Sequence, residues 1–110
     1  MLSKRNRLNK DKDIKTVFAK GRGFFSPYFL VKKLSISSEK KFTVLVSTKV
    51  SKKAVVRNKI KRILREAIRL NLANFSPGHY IFTAKPSIMK LNIQEINPEF
   101  IKLLAKLNNV

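Results

Sequence analysis

The sequence predicts an α+β fold: helices packed on a small mixed sheet, in one domain spanning residues 1–110. Three observations predict it. The chain is 44% hydrophobic, with 8 Phe spread along its length, so it can bury a core without covalent or metal staples. Two segments alternate apolar and polar residues as strands do, while a long one repeats its apolar residues at helical spacing. Helical and β patterns also follow one another in the order α-β-β-α-β-α, with room for a further short strand ahead of the first long one.

Residues 1–10, MLSKRNRLNK, are basic and polar and are expected to form a flexible arm. In DKDIKTVFAK, Ile14, Val17 and Phe18 fall on one helical face with Ala19 at its margin. Asn9 or Asp11 can cap this helix and Gly21 stops it. GRGFFSP is a turn-rich connector that can hold a short strand at Phe24-Phe25. PYFLVKKLSI then reads as a strand entered after Pro27. SSEK is a turn, and KFTVLVST alternates Phe42, Val44 and Val46 against Thr43, Leu45 and Ser47. The two strands are expected to pair as an antiparallel hairpin.

Ser51 is placed to cap a long helix ending near Leu72. NFSPG breaks it, HYIFTA is a third long strand, and KPSIMKL is irregular. The last segment, NIQEINPEFIKLLAKL, is helical in pattern. Asn97 can cap it with Pro98 at the first helical position. The alternative is a start at Asn92, with Glu95 completing a capping box and Pro98 inside the helix.

Charge narrows the function. Lys plus Arg is 25 against 6 acidic residues, a net charge of +19. Such a field attracts polyanions, and nucleic acid is the common partner. An anionic membrane surface is the weaker rival, because no segment has the composition of a lipid-facing interfacial helix. There is no Cys, which excludes disulfides, thiolate catalysis and Cys-based zinc sites. The N-terminus lacks the apolar stretch of a signal peptide and no run is long enough to span a membrane. A cytoplasmic location is expected.

The segment AVVRNKIKRILREAIRL, Ala54 to Leu70, combines burial and charge. On a helix of about 100° per residue, measured from Arg57, the residues Leu70, Ile63, Val56, Ala67, Ile60 and Leu64 occupy roughly 220° to 340°, with Ile68 near 20°. Arg57, Lys61, Arg65, Asn58, Arg69, Arg62 and Lys59 occupy roughly 0° to 200°. One arc is built to dock and the other to face outward. Arg57, Lys61 and Arg65 are successive i,i+4 like charges, which destabilise an isolated helix, and Glu66 is the segment's one acid. A solvated helix face normally mixes signs. Tolerated self-repulsion, with Arg suited to bidentate phosphate contact, points to RNA or DNA on this face. Lys53 and its neighbours Lys49 and Lys52 lead into the helix N-terminus, where phosphate is favoured.

VSTKVSKKAVVRNKIKRILREAIR closely resembles the signature of the bacterial ribonuclease P protein subunit. That signature is a Ser/Lys-rich lead-in, an A-V-x-R-N-R-x-K-R motif and a basic amphipathic helix. KRNRL near the start, VF-x-x-G at Val17, Phe18 and Gly21, and A-K-P at Ala84 to Pro86 agree with the family. The resemblance implies an α-β-β-β-α-β-α sandwich whose strand–helix–strand crossover is left-handed. The general rule for parallel strands gives the opposite hand.

It also implies function: the protein component of an endoribonuclease that removes the 5′ leader from precursor tRNA, in which the RNA subunit performs a Mg²⁺-dependent hydrolysis. No catalytic or metal-binding residue is then expected in the protein. Its partners would be the ribonuclease P RNA subunit and precursor tRNA, with one protein monomer per RNA. Carried over by position, Arg57, Asn58, Lys59, Lys61, Arg62 and Arg65 would contact the catalytic RNA, and Phe18 would sit on a leader-binding cleft. Lys59 stands where the motif has its second Arg. Ile14 stands where relatives often carry an aromatic, and the SKKA lead-in is one residue longer than the commonest form.

A single-stranded leader needs a basic groove with aromatic faces. Alternation puts either Tyr28, Leu30 and Lys32 or Phe29, Val31 and Lys33 on the open face of their strand. The first set is more polar, so Tyr28 and Lys32 are expected in the cleft. The rivals are a ribosomal protein, which fits size and charge equally, a DNA-binding regulator, which needs a base-reading helix pair, and a protein-only nuclease. The last would need converging carboxylates, and Asp11, Asp13, Glu39, Glu66, Glu95 and Glu99 are dispersed. His79 stands alone and is read as a surface residue.

Overall fold

The computed structural model describes residues 3–35 and 39–108. The chain runs α1 (Asp11–Lys20), β1 (Arg22–Phe25), β2 (Phe29–Leu34), β3 (Lys40–Leu45), α2 (Ala54–Leu70), β4 (Gly78–Ala84) and α3 (Ile93–Asn108). This is the expected α-β-β-β-α-β-α order. Short 3₁₀ turns cover Lys4–Asn6, Leu72–Asn74 and Pro86–Lys90, the last within the segment expected to be irregular. The turn expected over SSEK falls largely outside the described residues. A radius of gyration of 13.1 Å matches the value of about 13 Å for one compact domain of this length.

The four strands form one mixed sheet in the order β1-β2-β4-β3. β2 and β3 do not pair as a hairpin: β4 lies between them, antiparallel to β2 and parallel to β3. The reason is burial. β2 and β3 each alternate and have one apolar face, whereas β4 is buried on both faces except at Thr83. A strand apolar on both sides belongs in the interior of a sheet. Gly78 opens it, because a Cβ there would come within 2.9 Å of the Leu34 carbonyl oxygen.

The sheet therefore has two used faces. One carries Phe29, Val31, Phe42, Val44, Tyr80 and Phe82, packed with Ile60, Leu64 and Ile68 of α2 and Phe100, Leu103 and Leu107 of α3. Phe82 stacks on Phe100 with ring centres 5.4 Å apart, and Phe42 on Tyr80 at 5.0 Å. The other face carries a smaller cluster of Leu8, Val17 and Ile81, joined by Ile14 and Leu34. The chain start, expected to be flexible, is tied to this side. Leu8 donates its N–H to the Phe42 carbonyl at 2.7 Å, and Asn6 Nδ2 donates to the Lys40 carbonyl at 2.9 Å. One apolar residue, Leu8, 2% exposed, anchors an otherwise polar segment.

The helix ends correct four further expectations. Lys10, not Asn9 or Asp11, precedes α1, with Asp11 and Asp13 in the first turn where acids favour the helix dipole. Lys53, not Ser51, precedes α2; the Ser51 hydroxyl instead accepts from the Lys53 N–H at 3.2 Å, closing a turn within the lead-in. α2 stops at Leu70 rather than Leu72. α3 starts after Asn92, with the Asn92 N–H donating to Glu95 Oε1 at 3.2 Å and Pro98 inside the helix. Burial of Ile96 one turn before Phe100 favours this longer helix over a start at Asn97.

Pro98 leaves the Gln94 carbonyl without its helical donor, and both residues are exposed. Pro98→Ala should therefore raise unfolding free energy by about 1–3 kcal/mol in urea titration. A lower stability would show that the proline ring itself supports the fold.

Candidate nucleic-acid interface

α2 turns its apolar arc to the sheet, as expected, with Ile60, Leu64, Ala67 and Ile68 buried. Leu70, assigned to that arc, is instead 64% exposed. It lies at the arc's edge, where α2 and α3 leave a groove of about 500 Å³ lined by Ile63, Ala67, Leu70 and Ile96, with Lys59 and Arg62 on its walls.

The basic arc divides in two. Asn58, Lys59, Arg62 and Arg69 are exposed, while Arg57, Lys61 and Arg65 are partly buried. Arg57 Nη1 donates to the Ser51 carbonyl at 2.9 Å, so this side chain braces the lead-in against the helix. Arg65 lines a small concavity of about 120 Å³ with Arg7, Asn9 and Thr43. This brings the basic helix and the chain start together around the β3 edge. The lead-in is pinned by Val46 and Val50, both buried, which hold Lys49, Lys52 and Lys53 outward. No side chain caps the α2 N-terminus, so its first N–H groups remain available to an anion.

Arg69 is differently placed from the other predicted contacts. Its Nε donates to Glu66 Oε1 and Oε2 at 3.1 and 3.0 Å, and a further Nη2–Oε1 contact completes a fork. The hydrogen bonds from Arg69 hold the Glu66 carboxyl down to about 2, so Arg69 stays neutralised at any physiological pH. Arg62, in contrast, makes no hydrogen bond or ion pair among the described residues.

On the opposite face of the sheet, strand register sets out rows of neighbours. Phe25, Leu30, Thr83 and Leu45 form one row and Gly23, Lys32, Ile81 and Thr43 the next. α1 covers Ile81 and Leu34 but leaves the first row open: Phe25 is 63% exposed and Leu45 37%. Phe18, next to the packed face of α1, is 43% exposed. Lys32 stands on this side as expected. Tyr28 does not: the chain bends at Pro27-Tyr28 before β2 begins, and Tyr28 packs partly against the main core. Phe25, one of several aromatics that sequence reasoning left open and did not single out, takes the aromatic position on this face. The signal was the paired Phe24-Phe25, of which a strand can bury only one.

His79 is not a surface residue. It is 6% exposed, and among the described residues its Nε2 has no hydrogen-bond partner, the Glu39 carboxylate lying 3.8 Å away. No helix of the described residues is long and apolar enough to cross a membrane.

A family model described as Ribonuclease P matches residues 2–108. The chain belongs to this family. Membership sets aside the ribosomal-protein and DNA-regulator alternatives and makes the chain a subunit of a tRNA-processing ribonuclease, with an RNA subunit as the implied partner. The ribonuclease P protein component of Pseudanabaena sp. (strain PCC 6903) is 36% identical over 109 residues, covering 96% of this chain and 94% of that one. That of Bacillus velezensis is 32% identical over 108 residues, covering 96% and 91%. The RNase P protein of Staphylococcus aureus superposes with a TM-score of 0.86 at 25% identity, covering 94% of this chain and 98% of that one.

Releasing Arg69 should add one cation to the ribonuclease P interface. Glu66→Gln should tighten binding to the RNA subunit and steepen the plot of log affinity against log salt by about 0.7–0.9. An unchanged slope would show that Arg69 lies outside the contact.

Proposed function

We propose that this chain is the RNA-binding protein component of ribonuclease P, assisting 5′ maturation of tRNA. It grips the catalytic RNA with α2 and the lead-in, and holds the 5′ leader on the opposite face of the sheet. The observation that supports this most is the separation of the two surfaces. The basic arc of α2 points away from the main core, the open row of β1-β2-β4-β3 lies across the sheet, and Arg65 and Arg7 join them around the β3 edge. One chain can thus hold a folded RNA and a single strand at once.

In this reading Lys53, Arg57, Asn58, Lys59, Lys61, Arg62 and Arg65 face the RNA subunit. Lys59 in place of a second motif Arg keeps the charge but loses the planar fork. Phe18, Lys32 and Leu45 line the leader path, where stacking and charge serve any sequence.

Catalysis is assigned to the RNA. No three His, Asp or Glu of the described residues converge on one point. Glu66 is engaged by Arg69, Glu99 by Lys102 at 3.2 Å, and Glu95 by the first turn of α3. The protein's contribution is binding and neutralisation, which lowers the Mg²⁺ concentration the complex needs.

Two substitutions test the division. Arg62→Ala should weaken RNA-subunit binding and reduce the salt slope by about 0.7–0.9, without unfolding, because Arg62 is exposed. Phe18→Ala should weaken precursor tRNA binding to the assembled complex while leaving mature tRNA unaffected. Equal loss for both substrates would remove Phe18 from the leader path.

A further inference from the structure

Phe25 occupies an unusual setting for an exposed aromatic. Scattered surface apolar residues need no explanation, but Phe25 ends the continuous open row of Leu30, Thr83 and Leu45. Its ring is flanked by cations. Lys85 Nζ lies 5.7 Å from the ring centre and is anchored by donating to the Ser26 carbonyl at 2.7 Å. A side chain at Gly23 would lie 3.8 Å from the Phe25 ring and 4.0 Å from Lys32 Cε, so the ring and the Lys32 stem converge above that glycine. The absence of a Cβ keeps the space between them open. Lys106 Nζ approaches the Phe25 carbonyl at 3.4 Å from α3. Among the described residues no acidic residue is paired with any of these lysines.

An aromatic face between ammonium groups is the element from which sequence-tolerant single-strand sites are built. We infer that Phe25 is a stacking platform for one nucleobase of the 5′ leader, with Lys32 and Lys85 taking the adjacent phosphates. This rests on the leader path proposed above and extends it to the far edge of the sheet. From β3 to β1 is three strand spacings of about 4.8 Å, roughly 14 Å. With the leader entering at the β3 edge, where Arg7 and Arg65 join the two surfaces, the Phe25 site is reached only by leaders long enough to cross the sheet, and it binds a nucleotide at a set distance from the cleavage point.

The test uses the holoenzyme reconstituted from this protein and its RNA subunit, with precursor tRNAs whose leaders lengthen one nucleotide at a time. Wild type, Phe25→Ala and Phe25→Trp are compared by equilibrium binding. Phe25→Ala should match wild type for mature tRNA and for the shortest leaders. It should fall behind by roughly tenfold, the loss of one stacked base, once the leader passes a threshold length, and Phe25→Trp should restore affinity. Wild type gaining affinity with leader length while Phe25→Ala keeps pace at every length would overturn the platform but leave the leader path standing. Wild type gaining nothing from any leader would overturn the leader path and the platform together. Equal loss by Phe25→Ala on mature tRNA would place Phe25 outside the leader site.

Discussion

The insertion of β4 between β2 and β3 is the constraint on which the rest of the structure depends. Tyr80, Ile81 and Phe82 are each 0% exposed, so both faces of the sheet must be covered at its centre. α2 and α3 cover one side with the large aromatic core, and α1 with Leu8 covers part of the other. Because the second cover is one short helix, the row running from Phe25 to Leu45 stays open. The open row is thus a by-product of unequal covering: the strand order creates two faces, and the helices cover only one and a half of them.

Charge is distributed by the same logic. A chain of net charge +19 repels itself, and few of its cations are relieved internally. Arg69 is neutralised by Glu66, and Arg57 is tied to the Ser51 carbonyl. Lys33, on the core side of β2, donates to Ser76 Oγ at 2.7 Å and lies 3.5 Å from the Leu107 carbonyl, at the negative end of α3. Burial lowers its pKa. Most other lysines and arginines face water. Their repulsion is tolerable because the apolar arc of α2 is buried independently of them, and a bound polyanion removes it.

Local patterns were legible and long-range choices were not. The two arcs of α2 follow from the helical period alone, and the burial of Phe29 and Val31 on one side of β2 from strand alternation and the polarity of the other set. The hairpin expectation failed because pairing two neighbouring strands is the local default, while the winning partner, β4, lies after a helix. Tyr28 was misplaced because alternation was extended across the bend after Pro27. The start of α3 turned on a conflict between Pro98 and the Ile96–Phe100 spacing, which only packing resolves. The chain start looked free because seven polar or basic residues outvoted Leu8 in composition, and one buried leucine with its backbone bond decided the matter. Of the candidate site, the basic outward arc of α2 was readable from residue order. Phe25 was not, because its exposure depends on which of Phe24 and Phe25 faces Val31.

The central claim is that two nucleic-acid surfaces occupy opposite sides of one sheet and fill in sequence. Hydroxyl-radical footprinting of side chains tests it most directly, since each surface has built-in reporters: Val55, 78% exposed among the basic residues of α2, and Phe18, Phe25 and Leu45 on the other face. The RNA subunit alone should shield Val55 and leave Phe18, Phe25 and Leu45 reactive. Adding precursor tRNA with a long leader should then shield those three, and mature tRNA should not. Shielding of Phe18, Phe25 and Leu45 by the RNA subunit alone would contradict the account.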